Sequence, residues 1–376
     1  MLSCIGDVDI MLHDSNELAI PDGYPPPTEL PGEFGSRVDV YEIVDSEYPG
    51  YVYLMKSYLL TEDSDAGKYN AVRCDKREYH VTCYEGENEQ HGPAVIGRPG
   101  GFPCDAVPCV RCLSWPPQAA DWPTRRRNYD WPDSATVDCV VSNGCDVVQV
   151  AHRQYRQDEW MSKCQCRLSF SRAEIVLLNS WMPVEQIVYH TLRFFLKTER
   201  LTDIADNMEI KIFSNYHIKA LTLWACELKP QSWWTEDVNI VRLCVKLLHS
   251  FAACLKNKIC RHYFIDNCNL VYNKMYSDIP LIASQLMSMT VSWLSAWLVN
   301  NYLRKCAQLC PDRVARLFDD ISTSMKLQNA LAAVVDWRIN SALTDQWRLC
   351  NDVKFSLLTI FISVLFDGAI MRLLDQ

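Results

Sequence analysis

Apolar and polar positions alternate from the start of the chain, with Val8, Ile10 and Leu12 against Asp7, Asp9 and Met11. Side chains on a strand alternate sides, so this period of two predicts a strand over residues 3–12 with Asp7 and Asp9 on one face. Two carboxylates one pleat apart repel unless a cation or protons neutralise them. One reading is a magnesium site serving a phosphate-bearing substrate. The other is an exposed edge strand carrying two solvated acids. Residues 21–32, with Pro21, Gly23, Pro25, Pro26, Pro27, Pro31 and Gly32, have neither period and predict a loop. Further strands are expected over 51–58, 78–84 and 146–151.

From about residue 170 the period changes to that of helices. Ser171 with Glu174 three residues on has a capping-box pattern. Helices are expected from Val184 to about Leu201, Tyr216 to about Leu228, Asp237 to about Leu255, and in pieces beyond Pro280. Strands followed by helices make an α+β chain. Phe355 to Phe366 is almost wholly apolar but bracketed by Lys354 and Asp367. At about a dozen residues it falls short of the ~20 a membrane helix needs, so a buried or partner-facing helix is expected and no membrane association.

The segment from Cys104 to Cys112 is short and mostly apolar, with one acid. If it is a strand beside the first, Asp105 adds a third carboxylate to the pair, as a two-ion site needs. Alone, Asp105 reads as a solvated acid at a strand end, and Pro108 speaks against a central strand. Cys104, Cys109 and Cys112, with His80 or Cys83, invite a zinc reading, but no paired Cys-x-x-Cys knuckles face each other, and no structural zinc is expected. Trp115-Pro116, Trp122-Pro123 and Trp131-Pro132 surround Arg125, Arg126 and Arg127. Aromatics among arginines can stack on nucleic acid. They can equally pin an irregular segment to the core while the arginines stay in solvent.

The 376 residues allow two or three domains, and a formal charge of -9 argues against a generally basic nucleic-acid binder. No basic region followed by an apolar run opens the chain, so no secretory signal is expected. The 18 cysteines then read as scattered reduced thiols of a cytoplasmic or nuclear protein.

Arg167-Leu168-Ser169-Phe170-Ser171 and Phe213-Ser214-Asn215-Tyr216-His217-Ile218-Lys219 resemble the Mab-21-like family, which includes cyclic GMP-AMP synthase and its animal relatives. The resemblance continues through Leu223-Trp224-Ala225-Cys226-Glu227-Leu228-Lys229-Pro230, Trp233-Trp234, His262-Tyr263-Phe264-Ile265 and Asn269-Leu270. Order and spacing hold over roughly residues 1–270. The resemblance implies a nucleotidyltransferase-type mixed sheet lobe over 1–160, a helical (HhH/H2TH-like) lobe closing over a nucleotide over 161–280, and a helical extension over 281–376. It implies Mg2+ or Mn2+ held by Asp7, Asp9 and Asp105, and ATP or GTP as substrates. Arg167, Ser169 and Ser171 match the strand-to-helix segment lining the nucleotide pocket. Tyr216 matches the aromatic that stacks on a base, with Ser214 and Lys219 beside it. The alternatives are a core aromatic for Tyr216, a helix cap for Ser214 and an inter-lobe carboxylate partner for Arg167.

Three departures qualify the resemblance. Active members carry a long helix and a Gly-Ser turn before the acid pair, and Met1 lies six residues before Asp7. An N-terminally truncated member is therefore expected. Cys166 stands where an aromatic usually precedes the Arg-Leu-Ser-Phe-Ser run. The connection from Leu178 to Val184 has no room for the zinc ribbon of the DNA-sensing synthase, against that mode of DNA binding. Two functions follow. One is a metal-dependent nucleotidyltransferase in innate sensing that makes a cyclic dinucleotide, with double-stranded nucleic acid as a candidate activator. The other is a catalytically impaired nucleotide-binding or scaffolding protein of the same fold.

Overall fold

The structure, a computed structural model, describes residues 8–63, 67–81, 90–91, 94–97, 104–152, 160–199, 214–235, 240–271, 279–298 and 300–301. The chain divides into two compact units, Met1–Ser180 with Arg261–Leu270, and Trp181–Cys260 with Val271–Gln376. The fold is α+β, a mixed sheet followed by helices.

The strands of the first unit are β1 (Val8–Pro21), β2 (Arg37–Asp45), β3 (Tyr51–Glu62), β4 (Tyr69–Arg73), β5 (Gln90–His91), β6 (Ala94–Gly97), β7 (Cys104–Cys112), β8 (Cys145–Gln149) and β9 (Gln165–Ser169). β1 runs parallel to both β2 and β7, while β2–β3, β3–β9, β9–β8 and β8–β7 pair antiparallel. The pairings thus run in a closed circuit of six strands, which leaves fewer open edges than a flat sheet. β4 pairs with β3, and β6 and β5 extend outward from β7.

Local sequence explains several of these elements. The acid-bearing strand is longer than its first alternating run because His13 to Leu18 carries a register irregularity, after which Leu18, Ala19 and Ile20 are buried between β2 and β7. β2 has no counterpart in the sequence reading. Val38 and Val40 start a clean alternation, but a bulge after Val40 turns Tyr41 inward too, and the period is lost. The segment 104–112 is a strand beside the first despite Pro108. On the edge away from β1, β6 pairs with residues 104–106 and β8 with 109–112, so Pro108 falls where the partner on that edge changes. The strand expected over 78–84 is, among the described residues, a single bridge from Tyr79 to Met55.

Among the described residues of this unit the α-helices are α1 (Asp121–Thr124), α2 (Ser134–Ser142), α3 (Trp160–Cys164) and α4 (Ser171–Asn179). Ser171 is the first helical residue of α4 and Phe170 its N-cap, without a side-chain cap bond, so the expected capping box is absent. Gly144, between α2 and β8, has φ +61, and a Cβ there would lie 2.2 Å from the Cys112 carbonyl oxygen. Only glycine makes that turn.

Residues 261–270 return from the helical stretch to complete the first unit's core. Phe264 stacks on Phe170 at 4.6 Å and lies 5.2 Å from the fully buried Trp122. The basic triplet is not left wholly in solvent. Arg127 lies over the Trp122 ring, and Arg125 donates to the Tyr263 carbonyl at 3.0 Å, while Arg126 is exposed. The tryptophans therefore pin the irregular segment, and two of the three arginines help.

The second unit contains α5 (Pro183–Thr198), α6 (Asn215–Leu228), α7 (Gln231–Thr235), α8 (Ile240–Lys256), α9 (Ile279–Met287) and α10 (Val291–Leu298). Its core is built from one face of each long helix, including Leu192 and Phe195 of α5, Leu223 of α6 and Leu248 and Phe251 of α8. Only residues 180–182 separate α4 from α5. Among the described residues no single helix is long and apolar enough to cross a membrane, although α9 and α10 together reach that length with a 96° bend. The apolar run 355–366 lies outside the described residues.

His262 offers a test of the first unit's core. Its Nδ1 accepts from the backbone N–H groups of Phe264 and Ile265 at 3.1 and 3.2 Å, which requires the neutral ring. Burial, with the Arg167 charge adding to it, pushes its pKa down to about 3. The unfolded chain takes up this proton near pH 6.5 and the folded chain does not. The stability is therefore full above pH 6.5 and lost as pH falls toward 3, by about 1.4 kcal/mol per pH unit. Urea unfolding between pH 7 and 4 should show a flatter acid slope for His262→Asn, which keeps an acceptor but cannot titrate. Parallel slopes would refute this.

Candidate functional site

The parallel ladder between β1 and β7 aligns Asp9 with Asp105. Neighbouring strands lie about 4.8 Å apart, so the backbones bearing these two acids are immediate neighbours. Asp7 and the side chains of Asp9 and Asp105 lie outside the described residues.

Further along, the same ladder aligns His13 with Cys109, Cys109 with Val148 on β8, and Val148 with Arg167 on β9. The next row aligns Arg111, Asp146 and Ser169. Residues aligned across a sheet share a face, so Arg167 and Ser169 stand on the face that carries His13, Cys109, Arg111 and Asp146. Arg167 is exposed and Ser169 half-buried, with its hydroxyl 3.5 Å from that of Ser171.

The centre of this face is Asp146, whose exposure is 0%. A buried carboxylate needs partners, and three side chains from three other elements surround it. His13 Nε2 is 3.0 Å from Oδ1, Arg111 Nη1 is 3.6 Å from Oδ1, and Arg172 Nε of α4 is 3.5 Å from Oδ2. Arg111 is locked by the backbone, donating to the carbonyls of Cys112 at 2.9 Å, Cys145 at 2.8 Å, and Asn143. Arg172 Nη2 donates to His13 Nδ1 at 3.3 Å. Guanidinium nitrogens only donate, so Nδ1 accepts and Nε2 carries the proton toward Asp146. Burial, with the Asp146 charge adding to it, pushes the Cys109 thiol up to about 12, while Arg172 and Arg111 oppose the shift.

His13, Arg111, Asp146 and Arg172 are absent from the sequence reading of the site. A signal was present: Asp146 is the single acid in the apolar run Cys145–Val148, where a charge demands buried partners. Which residues answer it depends on strand order, which sequence spacing does not carry. The zinc reading fails on pleat parity. Cys109 and Cys112 are three apart on one strand and face opposite ways, and Cys112 aligns with Cys145. Cys83 and the side chain of Cys104 lie outside the described residues.

In the second unit Ser214 is the N-cap of α6, its backbone N–H donating to His217 Nδ1 at 3.1 Å. Tyr216 and Lys219 are half-buried on the first turns of the same helix. Within the first unit, a cavity of about 270 Å³ is lined by apolar Leu54, Val110 and Val147 and by Glu17 and His80. His80 Nε2 lies 3.1 Å from a Glu17 oxygen.

Two family models match this chain: the Mab-21 protein nucleotidyltransferase domain over residues 67–180 and the Mab-21 protein HhH/H2TH-like domain over residues 186–288. Protein mab-21-like 3 of Danio rerio is 27% identical over 182 residues, 48% of this chain and 42% of that protein. Protein mab-21-like of Drosophila melanogaster is 26% identical over 227 residues, 58% of each chain. The chain thus spans about half the length of these relatives.

Asp146→Asn would leave two guanidinium groups facing a neutral amide. It should cost the first unit about 3–5 kcal/mol, more than Arg172→Met, because the Arg172 side chain is 38% exposed and can turn to water. Urea titration read by tryptophan fluorescence checks the order. Equal or reversed losses would show that Asp146 is not the hub.

Proposed function

Because this chain belongs to the Mab-21 family, with the nucleotidyltransferase domain followed by the HhH/H2TH-like domain, we propose that it is a metal-dependent nucleotidyltransferase acting on nucleoside triphosphates. The observation that carries the reading is the alignment of Asp9 with Asp105 across the β1–β7 ladder, inside a nucleotidyltransferase-like fold. Carboxylates from two neighbouring strands are the hard, anionic donors that Mg2+ or Mn2+ prefers, so the donor set fits such ions. Asp7, Asp9 and Asp105 would hold them. The ions, when bound, supply Lewis-acid stabilisation of the charge that develops on the attacking and leaving oxygens.

The remaining steps fall to the chain's own side chains. Arg167, on the same face as Asp146 and Ser169, offers a guanidinium to phosphate oxygens. Ser169 and Ser171 offer hydroxyl donors to phosphate or ribose. The ring of Tyr216 covers a base, with Ser214 and Lys219 beside it. A carboxylate of the acid set takes the proton of the attacking ribose hydroxyl. A cyclic dinucleotide is the product we propose, in innate sensing and with a double-stranded nucleic acid as activator.

The full chain incubated with ATP, GTP and Mg2+ or Mn2+, with and without double-stranded DNA or RNA, should release a nucleotide-linked product. Asp9→Ala and Asp105→Ala should each lower the rate by at least about 100-fold. Product formation no greater than in an Asp7→Ala/Asp9→Ala control overturns the catalytic reading. Calorimetric binding of nucleotide without turnover would instead assign a nucleotide-holding role.

A further inference from the structure

Beside the row that carries Arg167, three donor atoms of different hardness meet. His13, Cys109 and Asp146 stand on the neighbouring strands β1, β7 and β8, and an imidazole nitrogen, the sulfur and a carboxylate oxygen all lie within 4.8 Å of one another. The nearest pair, His13 Nε2 and Asp146 Oδ1, is 3.0 Å apart. A tetrahedral zinc ion, with bonds of about 2.0–2.2 Å to nitrogen and oxygen, separates two such ligands by roughly 3.3 Å. The histidine and the carboxylate therefore need to open by only a few tenths of an ångström, and the thiol to close by about one.

A second observation points to a missing partner at the same place. Asp146 Oδ2 is buried and accepts no hydrogen bond, and Arg172 Nε, 3.5 Å away, is buried and donates none. Buried polar atoms that face each other in an ion pair and yet make no hydrogen bond are uncommon in folded proteins. Among the described residues the Cys109 thiol makes a single hydrogen bond, donating to the Leu12 carbonyl at 3.5 Å. Arg111 is different, because its guanidinium is fixed on backbone carbonyls and stays in place whatever happens at Asp146.

We propose that His13, Cys109 and Asp146 form a site for a divalent transition-metal ion of the zinc type, separate from the acid set of Asp7, Asp9 and Asp105. The thiolate and imidazole select such an ion over magnesium. On binding, the Cys109 thiol forms a sulfur–metal bond and releases its proton to solvent. The metal takes the place of the hydrogen bond between His13 and Asp146, the imidazole proton moves from Nε2 to Nδ1, and Arg172, 38% exposed, gives up both its bond to Nδ1 and its place beside Oδ2. The fixed charge of Arg111 works against the incoming cation and in favour of the thiolate. With three protein ligands, the fourth position of a tetrahedral ion stays open to water. None of this depends on nucleotide turnover.

The probe is Co2+, titrated into the reduced, metal-stripped full chain and followed by thiolate-to-cobalt charge-transfer absorption in the near ultraviolet. The wild type should show one equivalent of absorption that Cys109→Ser lacks, and millimolar Mg2+ should not remove it. His13→Gln should weaken binding roughly tenfold or more. Arg172→Met should tighten it, because a competing cation is gone. A wild-type signal no larger than that of Cys109→Ser overturns the proposal. Should Cys109→Ser fail to fold by circular dichroism, the other two variants decide: shifts in opposite directions support the site, and shifts in the same direction or none overturn it.

Discussion

One buried negative charge organises the first unit. Asp146 sits at 0% exposure on a short strand, and the groups that pair with it come from β1, β7 and α4. Taking a carboxylate out of water costs several kcal/mol, which is recovered only when its partners arrive together and in good geometry. The register of β1 against β7 and of β7 against β8, and the approach of α4 to the sheet, are therefore tied to a single atom group. A slip of one residue on any of these strands would turn its member to the opposite face. The same ladder that brings His13 to Cys109 also brings Asp9 to Asp105. The register that solves the charge problem at one end fixes the alignment of the acids at the other.

Burial of this kind is weak evidence for stability in itself and better evidence for specification. An apolar residue at 146 would remove the cost of burying a charge. It would also remove the reason for Arg172 to lie on the sheet rather than in solvent. Ser171 immediately precedes that arginine and Ser169 aligns with Asp146, so the segment that the family resemblance assigns to the nucleotide is held in part by the ion network.

Much of the architecture is legible in the amino-acid order, because the signals are local. The alternation at Val8, Ile10 and Leu12 marks β1, and the turn Pro49-Gly50 ahead of a β-rich run marks β3. The helical period from Pro183 onward marks the second unit. β2 is missed because a bulge breaks its alternation at Tyr41, and Pro108 misleads because a strand can change partners at a proline. The site divides the same way. Arg167, Ser169, Tyr216 and their neighbours are visible as a run of residue types in family order. His13, Arg111, Asp146 and Arg172 lie up to 159 positions apart and become a group only through strand order. Short-range pattern carries periods and turns, whereas a charge network is a property of topology.

The return of residues 261–270 to the first unit has a consequence for how the chain comes into being. A ribosome releases the strands of the sheet long before it releases Phe264, whose ring lies against Trp122 and Phe170. Until then those aromatic surfaces have Trp115 but lack the Phe264 ring, and the intervening helices must form or at least be accommodated first. The Trp181–Cys260 part of the second unit is thus an insertion as far as synthesis is concerned. Completion of the sheet domain waits on a segment that arrives some eighty residues late, after Cys260, and a nascent chain arrested before that point would present an unfinished hydrophobic core to chaperones.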